Sequence, residues 1–182
     1  MKILEPPPEP LPKSDKRWDL VWGFGYDSSN DDYKIVVGLV VNMGLLIRSR
    51  TRFYVYSLKT CVWKFIEEYD YASASANTVC GILYDGALHW DMTNSQTEEG
   101  AIFSFNLSRE EFTKTQMLHS VYQHITYSYT LGLMEGSLCL YVGSWTSTEI
   151  WVLKSDNNNN SGKQSYWELL PESYVMSSHG RI

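Results

Sequence analysis

The stretch Gly81-Ile-Leu-Tyr-Asp-Gly-Ala-Leu-His-Trp90 decides how the chain is read. It scans as two short strands joined at Asp85-Gly86, because an Asp-Gly pair supplies the positive φ that both central positions of a tight type I′ hairpin require. The unit returns as Leu131-Gly-Leu-Met-Glu-Gly-Ser-Leu-Cys-Leu-Tyr141, with Gly136 fifty residues beyond Gly86 and Leu138 fifty beyond Leu88. A second series has nearly the same period. Val55, Ile102 and Ile150 each open an apolar strand, at separations of 47 and 48 residues. After a turn, each strand is followed by an aromatic: Trp63, Phe112 and Trp167.

A period near 50 with several strands per unit is the pattern of kelch-type propeller blades. Each blade is a small twisted sheet that cannot bury both faces alone, so neighbours stack. No segment carries a long 3.6-residue apolar rhythm, which leaves little room for helix. The expected fold is therefore all-β, a kelch-like partial propeller of about three repeated antiparallel units, with a β-sandwich as the alternative. Residues 1–17 hold five of the six prolines and read as an extended leader or linker. Residues 18–170 form the β domain, and 171–182 a tail.

Composition narrows the function classes. Of 182 residues, 43% are hydrophobic and 14% aromatic, enough for a sizeable core rich in strand-favouring side chains. The net charge of -6 disfavours a phosphate-backbone partner, so no nucleic acid is expected. The longest apolar run, Ile35 to Ile47, is broken by Asn42. It is short of the roughly 20 residues of a membrane helix, so it reads as a buried strand and no membrane partner is expected. Cys61, Cys80 and Cys139 are odd in number and lack CxxC spacing; they read as buried free thiols.

Catalytic constellations are missing from the pattern. There is no G-x-S-x-G elbow, HExxH or P-loop. His119 and His124, five apart, do not match an established metal spacing. His89 alternates with Leu88 and Trp90 on a strand and reads as structural. The acids Glu67-Glu68, Glu98-Glu99 and Glu110-Glu111 are adjacent, and neighbours on a strand face opposite ways, so they are not paired carboxylates. No enzyme, cofactor or metal is expected. Binding remains. Arg48, Arg50 and Arg52 share one face of an extended segment. They serve either as a charged edge that blocks unwanted strand pairing or as a dock for an acidic protein segment. Trp145, in a Ser/Thr-rich loop, is the aromatic candidate for partner contact.

Several motifs together resemble the F-box-associated domain of plant F-box proteins. They are Gly23-Phe-Gly-Tyr-Asp27 with Asp32-Tyr-Lys-Ile-Val36, and Val55-Tyr-Ser-Leu58 with Thr60 and Trp63. Next come Asp85-Gly-Ala-Leu-His-Trp90, Ile102-Phe-Ser-Phe105 with Glu111-Phe112, and Leu131-Gly-Leu133 with Gly136-Ser-Leu-Cys139. The last is Glu149-Ile-Trp-Val-Leu-Lys154 with Trp167. The likeness spans about residues 18–170. It implies the substrate-recognition part of a cullin-type (SCF) ubiquitin ligase, binding a protein targeted for ubiquitination in the cytoplasm or nucleus. It also implies a Skp-type adaptor, reached through an F-box that this sequence does not display. The alternative is a stand-alone interaction module or decoy without ligase coupling. A carbohydrate-binding or hydrolytic β domain, suggested by the aromatic richness alone, is the third reading.

Overall fold

The computed structural model describes residues 20–42, 49–73, 79–94, 96–117, 128–143, 148–156 and 164–171, together with Pro7. They form fourteen strands: β1 (Leu20–Asp27), β2 (Asp32–Asn42), β3 (Ser49–Ser57), β4 (Val62–Tyr69), β5 (Tyr71–Ala72), β6 (Val79–Cys80), β7 (Ile82–Tyr84), β8 (Ala87–Asn94), β9 (Gly100–Asn106), β10 (Glu111–Gln116), β11 (Ser128–Met134), β12 (Ser137–Gly143), β13 (Thr148–Asp156) and β14 (Gln164–Leu169). The fold is all-β, as the repeat predicts. Val55, Ile102 and Ile150 fall on β3, β9 and β13, the third strand of three successive antiparallel meanders, and their aromatic partners Trp63, Phe112 and Trp167 fall on the fourth.

The chain divides into two compact units at residues 116 and 117. The first holds two sheets, ordered β4-β3-β2-β1-β6 and β10-β9-β8-β5, with β7 also paired to β8. The second holds the sheet β11-β12-β13-β14. Both two-residue hairpins adopt the expected turn. Asp85 and Gly86 have φ of 46° and 71°, and Glu135 and Gly136 have 49° and 73°.

The core of the first unit lies between its two sheets. β1 alternates buried and exposed residues, and its buried set (Val21, Gly23, Gly25, Asp27) faces the partner sheet. Two of those positions are glycine for a packing reason. A Cβ on Gly23 would sit 2.9 Å from both methyl carbons of Leu88, and one on Gly25 would sit 2.6 Å from Leu107 Cδ1. Phe53 from β3 inserts into an aromatic cluster with Trp90, Phe103 and Phe112, its ring 4.5 Å from that of Phe112 between centroids. Burying such side chains contributes about 1.5–3 kcal/mol each. A register shift between β3 and β4 at Phe53/Tyr54 re-phases β4, so that both Ile66 and Tyr69 reach the core although three residues apart.

The crossing from one sheet to the other is made by the opening stretch. β6 runs parallel to β1, then Gly81 leaves that sheet and β7 joins β8. Trp22 O holds the crossing, accepting from Gly81 N at 2.6 Å and from Trp90 Nε1 at 3.0 Å. In the second unit, Cys139, Ile150 and Val152 form the buried cluster on one face of the sheet.

One sequence reading changes. Cys139 is buried as expected, but Cys61 and Cys80 are exposed, because Cys61 occupies a turn and Cys80 a sheet edge. β5 follows β4 after a single residue, and its Tyr71 pairs with Asn94 on β8.

Candidate functional site

One set of turns in the first unit follows a single rule. The loops 28–31, 58–61 and 107–110 each hold four residues, and the fourth is left-handed: Asp31 (φ 50°), Cys61 (φ 58°) and Glu110 (φ 54°). Before each loop stands a short polar side chain that accepts loop amides. Asp27 Oδ1 takes Ser29 N at 3.0 Å, Ser57 Oγ takes Thr60 N at 3.1 Å, and Asn106 Oδ1 takes Arg109 N at 2.8 Å. Asn94 does the same for Gln96 and Thr97 ahead of Glu98.

Two of these turns, 28–31 and 107–110, are tied by a buried ionic network. Lys34 Nζ donates to Asp27 Oδ2 at 2.9 Å and to Leu107 O at 2.6 Å, and lies 2.9 Å from Glu110 Oε1. Asp27 also accepts from Asn30 Nδ2 at 2.7 Å and Ser108 Oγ at 2.6 Å. Burial pushes the Asp27 carboxyl up, but the hydrogen bonds from Ser108, Asn30 and Lys34 outweigh it and hold it well below the usual range. Burial pushes the Lys34 ammonium down, and its bonds to Glu110 and Asp27 reverse that and leave it raised. Asp32, the cross-strand partner of Asp27 and also buried, accepts from Ser57 Oγ at 2.6 Å and Lys59 N at 2.9 Å.

Beside this network opens a cleft of about 500 Å³. Val55, Val62 and Lys64 form one wall and Glu110 part of another, with Asn30, Lys59 and Thr60 at the rim. Lys64 Nζ reaches Glu110 Oε2 at 2.7 Å, and Lys59 Nζ reaches Asn30 O at 2.8 Å.

The arginine candidates lie elsewhere. Arg50 and Arg52 are on β3, an interior strand between β2 and β4, so the edge-guarding role does not apply. Both pair with Glu68: Arg50 Nη1 at 3.1 Å, and Arg52 through Nε. Arg50 Nε also meets Asp70 Oδ1 at 2.6 Å. Their charge is therefore matched across the strand pair. Arg48 and Trp145 lie outside the described residues, as do His119 and His124. His89 is structural: Nε2 donates to Tyr84 O at 3.2 Å, which leaves Nδ1 to accept from Ser104 Oγ at 2.7 Å. Among the described residues no group of three His, Cys, Asp or Glu could hold a metal ion, and no helix is long and apolar enough to cross a membrane. Sequence reasoning missed the Asp27–Lys34–Glu110 network. Its one signal was a lysine at position 34, in phase with the core residues Val36 and Val40.

The outward face of β1 and β2 carries Trp22, Phe24, Tyr26 and Tyr33, all exposed, with the Phe24 and Tyr33 rings parallel and 5.5 Å apart. Blade-type sheets are covered on both faces in closed propellers, and this face has the composition of such a surface.

Comparison with known proteins agrees with this architecture. The chain is 29% identical over 148 residues to the F-box/kelch-repeat protein At3g23880 of Arabidopsis thaliana, covering 79% of this chain and 38% of that protein. It is 27% identical over 187 residues to the F-box protein CPR1 of the same plant, covering 92% of this chain and 45% of that protein. The chain thus spans less than half the length of these relatives. No solved structure matches. The model of the F-box associated beta propeller domain matches residues 11–180, and the chain belongs to that family.

Proposed function

We propose that this chain is the target-binding β domain of an F-box substrate receptor, selecting a protein for ubiquitination by a cullin-type ligase. The observation that carries the reading is the family match over residues 11–180, supported by relatives named as F-box proteins. The geometry fits a binding role. The buried side chains of Asp27, Asp32 and Lys34 hold turns in place, and rigid turns present side chains for recognition. Coupling to the ligase runs through an F-box and a Skp-type adaptor, and the work is done in the cytoplasm or nucleus. No cofactor takes part.

The test is to express the chain fused behind the F-box segment of a relative and measure protein turnover across the proteome. A small set of proteins that bind the chain and disappear faster, in a manner blocked by proteasome inhibition, is the expected result. Bound proteins of unchanged half-life would instead favour an interaction module or decoy, for which expression of the chain alone raises target levels.

A further inference from the structure

We propose that the edge strand β4 takes up an extended, acidic segment of the partner protein as an additional strand, with the segment's carboxylates against Lys59 and Lys64. This deepens the receptor reading and rests on it.

Among the described residues β4 ends its sheet, and one side of its backbone has no strand partner there. The first half of the strand also offers exposed apolar side chains: Val62 is 58% exposed on the cleft side and Phe65 is 50% exposed on the other. β10, the edge of the neighbouring sheet, presents Glu111, Thr113, Lys114, Thr115 and Gln116 to solvent and offers no comparable apolar foothold. Strand addition gains affinity from main-chain hydrogen bonds and specificity from alternate side chains. Alternate side chains of a strand laid along β4 fall beside Val62 and Lys64, at the mouth of the cleft.

Charge selects the occupant. The carboxylates around the cleft lie beneath its surface: Asp27 and Asp32 are buried and engaged by internal donors, and Glu110 is shared by Lys34 and Lys64. The ammonium groups of Lys59 and Lys64 are more exposed than these carboxylates. Lys64 has a side chain 62% exposed, and Lys59 is exposed with a backbone carbonyl as its bonded partner. What solvent meets at this cleft is positive, in a chain whose net charge is -6. A segment alternating apolar residues with Asp or Glu complements it. Arg50 and Arg52 do not compete for such a segment: the two of them are balanced by Glu68 and Asp70, whereas at the cleft Lys34, Lys59 and Lys64 outnumber Asp32 and Glu110.

The experiment uses a fluorescein-labelled ten-residue peptide alternating glutamate with valine, and the same peptide with lysine for glutamate. Binding to the whole chain is followed by anisotropy at low and physiological salt. The acidic peptide should bind, weaken with salt, and lose roughly tenfold in affinity in Lys59→Glu and in Lys64→Glu. N-methylation of the peptide amides along one edge should abolish binding, and along the other edge leave it intact. Equal binding of the two peptides, an unchanged affinity in both lysine variants, or insensitivity to N-methylation overturns the proposal. Lys59→Gln and Lys64→Gln, checked by thermal melting, guard against a folding defect. The two readings fail separately. Targets still degraded through the Lys59→Glu, Lys64→Glu chain would remove the cleft and leave the receptor. Peptide binding without any destabilised protein would do the reverse.

Discussion

Asp27 and Lys34 face each other across the first hairpin at 2.9 Å, with side chains 0% and 4% exposed. They are the centre of a system that also holds Leu107 O, Ser108 and Glu110, so one ion pair fixes two turns from different sheets. Removing one partner leaves a buried charge uncompensated, at a cost of about 3–5 kcal/mol. Lys34→Met should therefore lower the urea midpoint sharply, and Lys34→Met combined with Asp27→Leu should recover part of the loss.

The pH dependence follows from the directions of the shifts. Asp27 and Glu110 are held below their ordinary values, so their contribution is complete above about pH 4 and is lost as pH falls through the folded values. Lys34 is held above its ordinary value, so its contribution is complete below about pH 10 and is lost as pH rises further. Between those limits the network gives a plateau. In Lys34→Met the carboxylates lose their counter-charge, so the deficit against the native chain should shrink between pH 7 and pH 4. A deficit that stays constant over that range would mean that Lys34 acts by packing.

The close approach of the two sheets makes Gly23 a second point of failure. Its added Cβ meets Leu88, which is fully buried and cannot swing away. Overpacking of this kind costs about 1–3 kcal/mol. Gly23→Ala should be destabilising on its own and less so in a Leu88→Ala background, a coupling that a double-mutant cycle measures as a difference in urea midpoints. Additive effects would mean the sheets yield without resistance.

The repeat, the hairpins and the meander order were legible because each has a local cause: Asp-Gly and Glu-Gly at the turns, alternation on the strands, and an aromatic after each third strand. β5 and β6 were not, since two-residue strands carry no periodicity and exist only where a neighbouring sheet edge receives them. The arginines show the same limit. Position 50 and position 52 do share a face, but the acids that pair with them come from β4 and its end, and a register containing a bulge cannot be read from one strand. The Lys34 network was hidden for a related reason: Glu110 is 76 positions away in sequence, and its left-handed turn turns it toward the lysine.

β8 carries two buried titratable groups that burial shifts in opposite senses. Burial lowers His89, so its neutral form is favoured, and its contribution holds above about pH 6.5 and is lost as pH falls toward the folded value. Burial raises Asp91, and a hydrogen bond from its own backbone only partly offsets this. Its carboxylate is thus a liability at neutral pH, and the penalty disappears on acidification. Asp91→Asn should raise stability at pH 7 by about 1 kcal/mol, some 2–4 °C in melting temperature for a chain of this size. The gain should vanish near pH 4. A loss of stability at pH 7 would mean that the Asp91 carboxylate is stabilised by a counter-charge.

The two tight hairpins separate backbone conformation from packing. A Cβ on Gly86 or Gly136 would meet nothing within 4 Å, so space is no objection to alanine at either site. The objection is φ: at 71° and 73° an L-residue without a polar side chain costs about 1–2 kcal/mol. Gly86→Ala and Gly136→Ala should each be destabilising by that amount, with no change in the surrounding packing. The position before each glycine is also left-handed, and there the two hairpins differ. Asp suits the conformation at position 85 because a short polar side chain is able to hydrogen-bond its neighbouring backbone, whereas the longer chain of Glu135, at φ 49°, is less suited to do so. Glu135→Asn should therefore stabilise the hairpin of β11 and β12 by about 0.5–1 kcal/mol, while Asp85→Asn is close to neutral. Thermal melts of the four variants check the set. If Glu135→Asn were destabilising while Gly136→Ala behaved as stated, the Glu135 side chain would have to hold a contact worth more than the strain it carries.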